Sequence, residues 1–160
     1  MSAEQLMIQS ALANWKLTIR RATDVFSGFT EEQFYREIAP GKNRPIYILG
    51  HLVAMHDAML AILGLGERKH PDLDNIFIKM SDRATETIPS AEELTGHWTE
   101  VNHKLLERFQ TLTAEQWLQR HMAMSDEDYA KDSTRNRFSV LLNRTNHTAF
   151  HLGQLVLARR

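Results

Sequence analysis

Three histidines in two distant parts of the sequence have the spacing of metal ligands. His147 and His151 are four residues apart in the run NRTNHTAFHLGQL, and His51 lies in the run YILGHLVAMHD. On a helix, an i, i+4 spacing places both imidazoles on one face, where they can reach one ion. A third imidazole from another helix would leave a coordination position open. Sites that activate water or bind a small ligand have this arrangement, whereas structural zinc sites close the fourth position with protein.

The spacing of His147 and His151 is weak evidence by itself. The chain holds 8 histidines in 160 residues, and random placement at that density gives roughly 0.4 such pairs. A single histidine on an apolar helix face is more often a core residue that is hydrogen-bonded to a backbone carbonyl. The metal hypothesis therefore depends on the helices that carry these residues and on the sequence around them.

The composition predicts one soluble domain, residues 1–160, with no strong electric field. There are 19 Lys and Arg against 20 Asp and Glu, so we expect neither nucleic acid nor a membrane as a partner. Cysteine is absent, which excludes disulfides, thiolate ligands and a cysteine nucleophile. We expect a cytoplasmic location, because the N-terminal run lacks the pattern of a secretory signal and no apolar run has the length of a membrane span.

Apolar residues recur at helical intervals in four long segments. The segments cover roughly residues 3–27, 46–63 and 90–112, and a last segment that starts at Ser133 or Thr134. Capping-box patterns precede the third segment at Ser90 and begin short helical turns at Thr30 and Thr113. The pattern predicts an all-α protein, a four-helix bundle with short extra helical turns in the connections. Residues 119–136 are predicted to form a long loop.

The second segment is apolar on nearly every side, which indicates a central helix. At 100° per residue, His51 shares an arc with Ile48 and Met55, so its ring is expected to point into packed surroundings. On the fourth segment, His147 and His151 lie beside the apolar stripe. The three histidines can meet if the second and fourth helices are neighbours.

The runs LGHL at 49–52 and NHTAFHLGQL at 146–155 resemble the signature of the DinB-like superfamily of metal-binding four-helix bundles. This superfamily also includes the YfiT-like proteins, for which hydrolase activity has been suggested. The resemblance extends over essentially the whole chain. It implies that His51, His147 and His151 bind a divalent ion, with water in the remaining positions, and that the protein is a homodimer.

The resemblance implies two kinds of chemistry. Members with assigned activities include transferases that join low-molecular-weight thiols to electrophiles, and a maleylpyruvate isomerase that uses a thiol cofactor. The expected activity is therefore that of a metal-dependent hydrolase or of a thiol-dependent S-transferase with a small-molecule substrate. Nickel or zinc is the expected metal, with iron or manganese as alternatives, because imidazole binds all of them. The other hypothesis is a noncatalytic binding or dimerisation bundle with a structural metal or none.

Several neighbouring residues have weaker signals. Members of the family often carry a Glu about a turn and a half after the first histidine, whereas this chain has His56 and Asp57 there. We expect His56 to be packed or to support a ligand, and Asp57 to be solvated. Gln154 is a candidate hydrogen-bond donor beside the metal, and Gly153 is expected to permit close approach of a helix.

The remaining histidines and the tryptophans are predicted to have structural or surface positions. His97 and His103 are six residues apart and do not share a helix face. His70 and His121 fall in predicted loops and are expected at the surface. Each of the three tryptophans, Trp15, Trp98 and Trp117, could line a pocket, but large aromatic residues in helical apolar patterns are usually in the core, where we expect them.

Overall fold

The computed structural model describes residues 1–159, and this part of the chain is all helical. Its elements are α1 (Ala3–Ser27), α2 (Glu31–Tyr35), α3 (Pro45–Ile62), α4 (Leu73–Phe77), α5 (Ala91–Phe109), α6 (Ala114–Trp117), α7 (Asp126–Lys131) and α8 (Arg137–Leu157).

The four long helices, α1, α3, α5 and α8, form a bundle. Helix α1 packs along α8, α3 packs along α5, and α3 also contacts α8. The short helices lie in the connections, where α2 and α4 contact α3 and α6 contacts both α1 and α8. The predicted fold class, an all-α bundle with extra helical turns, is confirmed. The neighbourhood of α3 and α8 is the condition that the metal hypothesis required.

Helix α3 is the apolar centre of the bundle. Among the described residues, it is the one helix with the length and composition of a membrane span, at a mean hydropathy of 1.4. Of this segment, 67% is buried inside the fold, as in the core helix of a soluble protein. Pro45 is its first residue, a position where the missing amide proton of proline has no cost.

The hydrophobic core is built from apolar side chains of all four long helices. The three tryptophans, Trp15, Trp98 and Trp117, are among its largest fully buried side chains, as predicted. On α1, the predicted stripe is buried at every position: Ile8, Leu12, Trp15, Ile19, Ala22 and Phe26. This core gives the bundle a source of stability that involves none of the three predicted ligands.

Local sequence signals predict most helix starts. The predicted capping boxes are confirmed at Thr30, Ser90 and Thr113. The predicted start of α8 at Ser133 or Thr134 is wrong, because the N-cap residue is Asn136, whose side chain accepts a hydrogen bond from a backbone amide. The hydroxyl of Thr134 instead donates to Asp132, in a turn that precedes the helix.

The segment 119–136 is more ordered than the predicted loop. It contains α7, and its two ends are joined by an antiparallel bridge between Arg120 and Asn136. Helix α7 has no buried residue, which explains why the apolar pattern gave no sign of it. Three acidic residues in its first turn stabilise the helix through its dipole.

Candidate metal centre

The structure brings the three predicted metal ligands together where α3 faces α8. The Nε2 atom of His147 lies 3.2 Å from Nε2 of His51 and 3.1 Å from Nε2 of His151. Each of the three residues is partly buried. One nitrogen of each ring therefore points to a common centre, although His51 and His147 are 96 positions apart in the sequence.

In His51 and His151, a hydrogen bond from Nδ1 determines that Nε2 is the nitrogen available to bind a metal. His51 Nδ1 donates to the backbone carbonyl oxygen of Phe77 at 2.9 Å. His151 Nδ1 donates to the side-chain oxygen of Gln154 at 2.8 Å. Since a neutral imidazole carries one proton, both Nε2 atoms present a lone pair to the centre. Gln154 is thus an acceptor of a ligand's proton and not the donor that the sequence suggested.

His147 lies between the other two rings. Its Nδ1 atom is buried and has no hydrogen-bond partner among the described residues. Burial, followed by the nearby charges of His151 and His51, lowers the pKa of His147 to about 4. Burial also lowers the pKa of His51 and His151. All three rings are therefore neutral near pH 7, the form in which imidazole binds a metal.

This donor set fits a divalent ion. Metal–nitrogen bonds of about 2.0–2.1 Å with angles of roughly 90–110° place neighbouring ligand nitrogens about 2.8–3.4 Å apart. The two short Nε2 separations lie in this range. Without a cation, the Nε2 atoms of His51 and His151 both present lone pairs, and only His147 can supply a proton between them. One proton cannot satisfy three nitrogens with good hydrogen bonds. A cation in the centre would satisfy all three nitrogens.

A small cavity of about 190 Å³ opens beside the cluster. His51 and His151 form part of its wall, and the rest is mostly apolar or aromatic, from Asn43, Tyr47, Ile48, Phe77 and Ile78. The cavity is smaller than the roughly 300–1,000 Å³ of a site for a drug-sized ligand, so it has room for a small guest molecule beside the cluster.

Gly50 allows α4 to support this centre. A methyl group at Gly50 would overlap three ring carbons of Phe77. Glycine at this position therefore lets the Phe77 ring lie directly on α3, and the carbonyl of the same residue accepts the hydrogen bond from His51. By contrast, a methyl group at Gly153 would meet no atom within 4 Å. The close approach that the sequence suggested at Gly153 occurs at Gly50.

His56 lies in the core and is not one of the three converging rings. Its Nδ1 donates to the side-chain oxygen of Asn102, and its Nε2 accepts from the hydroxyl of Thr148, both at 2.9 Å. Its ring packs between Trp15 and Trp98. Because His56 is fully buried, its pKa falls to about 3. Both ring nitrogens are occupied, so His56 is a packed residue.

Asp57 is fully buried, and the prediction of a solvated carboxylate is wrong. Its oxygens accept from Arg68 Nε at 3.0 Å and from the backbone amides of Lys69 and His70 at 2.7 and 3.1 Å. The connection after α3 folds back over this carboxylate, which the helical periodicity of α3 could not indicate. Asp57 therefore holds a loop and does not contact the histidine cluster.

Arg144 is a residue that the sequence analysis missed. It precedes His147 by three residues on α8, is partly buried, and forms no ion pair with any described residue. Its buried Nε atom has no hydrogen-bond partner in this part of the chain. Burial lowers the pKa of its guanidinium, whose charge in turn contributes to lowering the pKa of His51 and His147. The i, i+3 spacing from a candidate ligand was the available signal.

Comparison with known proteins agrees with the geometry. No curated protein matches the chain. The family model described as the DinB superfamily matches residues 14–155, a range that includes all three histidines, the whole of α3 and α5, most of α8 and the second half of α1. The chain therefore belongs to the DinB superfamily.

Proposed function

We propose that this protein is a metal-dependent enzyme that acts on a small molecule, either as a hydrolase or as a transferase of a low-molecular-weight thiol. The proposal rests on one observation: three imidazole nitrogens converge at the edge of a cavity, with no fourth protein ligand among the described residues. When bound, a divalent ion at such a site lowers the pKa of water or of a thiol and so supplies a nucleophile. The chain has no cysteine to do this.

His51, His147 and His151 would hold the ion. Phe77 and Gln154 support the proposal because they fix the tautomers of two of these rings and thereby orient the ligands. Nickel or zinc is the proposed metal, and iron or manganese would fit the same nitrogen donors.

Arg144 favours a substrate that carries an anionic group. A guanidinium that is partly buried and lacks a carboxylate partner has lost solvation without gaining an ion pair. A carboxylate or phosphate on the substrate would provide that partner and would also be attracted by the dication. The proposed role of Arg144 is to bind and orient this anion, not to transfer a proton, because arginine stays protonated.

A noncatalytic bundle with a structural metal is the alternative. The core contains apolar side chains from every long helix and is continuous without the histidines. A bundle of this kind does not need a metal to fold, and three protein ligands leave a position for a guest molecule. Both arguments favour the enzyme over the structural site.

Metal analysis of untagged protein tests the proposal. We expect about one divalent ion per chain that resists dialysis, and its loss in the His147→Ala and His151→Ala variants. His103→Ala, at an exposed position of α5, is the control and should retain the ion. Far-ultraviolet circular dichroism should show the same helix content after chelation. Unfolding on chelation would support the structural alternative, and absence of the ion would contradict the enzyme proposal.

Activity is tested with a matrix of thiols and electrophiles, together with ester and amide substrates for the hydrolase branch. Half of the electrophiles and esters should carry a carboxylate. We expect metal-dependent turnover that is lost in His147→Ala. For carboxylated substrates, Arg144→Gln should raise KM by about 10-fold or more, the scale of one charge-assisted hydrogen bond. An equal effect on neutral substrates would exclude the proposed role of Arg144.

We also propose a homodimer that uses the outer face of α8. Phe150, Val156 and Leu157 are 65%, 50% and 55% exposed, and Gly153 lies on the same arc of the helix with open space beside it. Sedimentation of the wild type and of Phe150→Glu tests this assembly.

The proposed location is the cytoplasm. Neither nucleic acid nor a membrane is a proposed partner, because the net charge is close to zero.

A further inference from the structure

We propose that the protein has a second divalent-metal site, which is formed by His70, His97 and Glu100 and binds zinc. Each of these residues offers one ligand atom, and the three atoms lie within 4.8 Å of one another. Two imidazoles and one carboxylate form a donor set that zinc uses in proteins. The site shares no residue with the three-histidine cluster.

Helix α5 supplies two of the donors. His97 and Glu100 are three residues apart and so project from the same side of the helix. A carboxylate and an imidazole at i, i+3 are used as a metal-binding pair in helical bundles. Glu100 Oε2 lies 3.1 Å from His70 Nε2, and the ring centroids of His70 and His97 are 3.8 Å apart. The donors are therefore already close together without a metal.

The third donor lies on a loop whose position is determined by a buried carboxylate. Asp57 accepts hydrogen bonds from the backbone amides of Lys69 and His70, and from Arg68 Nε. Arg68 also forms a bidentate pair with Asp74. These hydrogen bonds attach the backbone of residues 69–70 to the buried carboxylate of Asp57. The His70 ring is therefore held against α5, and only 16% of its side chain is exposed. A preorganised ligand loses little conformational entropy on metal binding.

The charges around the cluster suit a cation. Lys69 Nζ binds Oε1 of Glu100 at 3.0 Å, which leaves Oε2 directed at His70. Burial and the nearby His70 ring lower the pKa of His97, and the carboxylates of Glu100, Glu93 and Asp72 act in the opposite direction. These carboxylates offset part of the charge of a dication, although one ammonium group is already bound to Glu100.

Zinc at this site would join the connection after α3 to α5. The connection continues into α4, which ends at Phe77, the residue whose carbonyl accepts from His51. We therefore expect zinc to stabilise this segment and to raise the melting temperature of the folded chain, since it binds only when both parts are in place.

Zinc titration of dialysed, untagged protein, followed by competition with a chromophoric chelator, tests this site. The wild type should bind one equivalent beyond the dialysis-resistant ion. His97→Ala and Glu100→Gln should each lose that equivalent and keep the first. His103→Ala, on the same helix but outside the cluster, should bind like the wild type. An unchanged stoichiometry in His97→Ala, or no further equivalent in the wild type, would overturn the proposal.

The His147→Ala variant separates this inference from the proposed function. In that background the three-histidine site is broken, so any zinc-dependent increase in melting temperature reports on the second site. We expect such an increase, and we expect His97→Ala to abolish it in the double variant. No zinc-dependent increase in His147→Ala would refute the second site, whatever the result for the enzyme activity.

Discussion

His51 Nδ1 donates a hydrogen bond to the backbone carbonyl oxygen of Phe77, 2.9 Å away, and the Phe77 ring rests on Gly50. The residue before the first candidate ligand thus provides the space for the residue that orients this ligand. Phe77 thus links two features of the site: its ring packs α4 against α3, and its carbonyl fixes the tautomer of His51. The dependence of metal binding on this packing is directly testable.

Gly50→Ala should weaken metal binding. The added methyl group would displace Phe77 and with it the carbonyl that orients His51, and loss of such support weakens metal affinity by about 10–100-fold. Overpacking should also lower the free energy of unfolding by about 1–3 kcal/mol. Competition titration and urea unfolding measure the two effects.

Gly153→Ala is the matched control for Gly50→Ala. A methyl group there meets no atom within 4 Å, so metal affinity should be unchanged and helix propensity should add up to about 1 kcal/mol of stability. Equal metal affinities of the two variants would show that contact between α3 and α4 does not support the site.

Gln154→Ala should weaken metal binding while the fold is retained. The Gln154 side-chain oxygen fixes the proton on Nδ1 of His151, and without it the ring can rotate or change tautomer. We expect about a 10–100-fold weaker affinity, measured by chelator competition. Gln9→Ala, at an exposed position of α1, should have no effect. An affinity of Gln154→Ala equal to that of Gln9→Ala would mean that this hydrogen bond is unimportant for the metal.

Asp57→Asn should be strongly destabilising. Its carboxylate is fully buried and holds Arg68 and two backbone amides, and breaking a buried ion pair costs about 3–5 kcal/mol. Urea unfolding measures the loss. Glu127→Gln, which removes an exposed pair with Lys131, should cost less than about 1 kcal/mol. Similar losses in the two variants would disprove the role of Asp57 as the anchor of this loop.

His56 should make folding dependent on pH. Its pKa is about 3 in the folded protein against 6.5 for a free histidine side chain, so the unfolded chain binds the extra proton first as the pH falls. The stabilisation is fully present above pH 6.5 and is lost progressively towards pH 3. Each unit of pH in this interval costs up to about 1.4 kcal/mol.

The variant His56→Gln isolates this effect. Unfolding free energies are measured in urea with a chelator, from pH 7.5 to about pH 4. The slope of the free energy against pH should be smaller for this variant than for the wild type, by the amount that corresponds to about one bound proton. The control His103→Gln, at an exposed site, should keep the wild-type slope. Parallel curves for His56→Gln and the wild type would rule out a buried neutral imidazole at this position.

Local signals in the sequence account for the helices. The period of apolar residues predicts all four long segments, and a side chain that accepts from the amide three residues later marks where a helix begins, as at Ser90. The prediction fails at α8, where several residues could cap the helix. The hydroxyl of Thr134 donates a hydrogen bond to Asp132, and Asn136 is the residue that caps the helix. Helix α7 is missed because it buries nothing.

The sequence by itself determined the class of the fold and the identity of the candidate ligands. The fold class depends on the period of 3.6 residues per turn. The ligands depend on the i, i+4 spacing of His147 and His151 together with the resemblance of the runs at 49–52 and 146–155 to those of the DinB-like superfamily. Whether His51 meets this pair is a contact between residues 96 positions apart. Such a contact depends on which helices are neighbours, and this is decided by packing of the whole core.

Tertiary structure alone decided how the polar residues beside the ligands are used. Asp57 and His56 are adjacent in sequence, yet one anchors a loop and the other lies between two tryptophans. Gly50 and Gly153 are both helical glycines, and only Gly50 has a neighbour that requires it. These roles depend on what each side chain meets across the bundle, and helical periodicity carries no information about the partner on the other side.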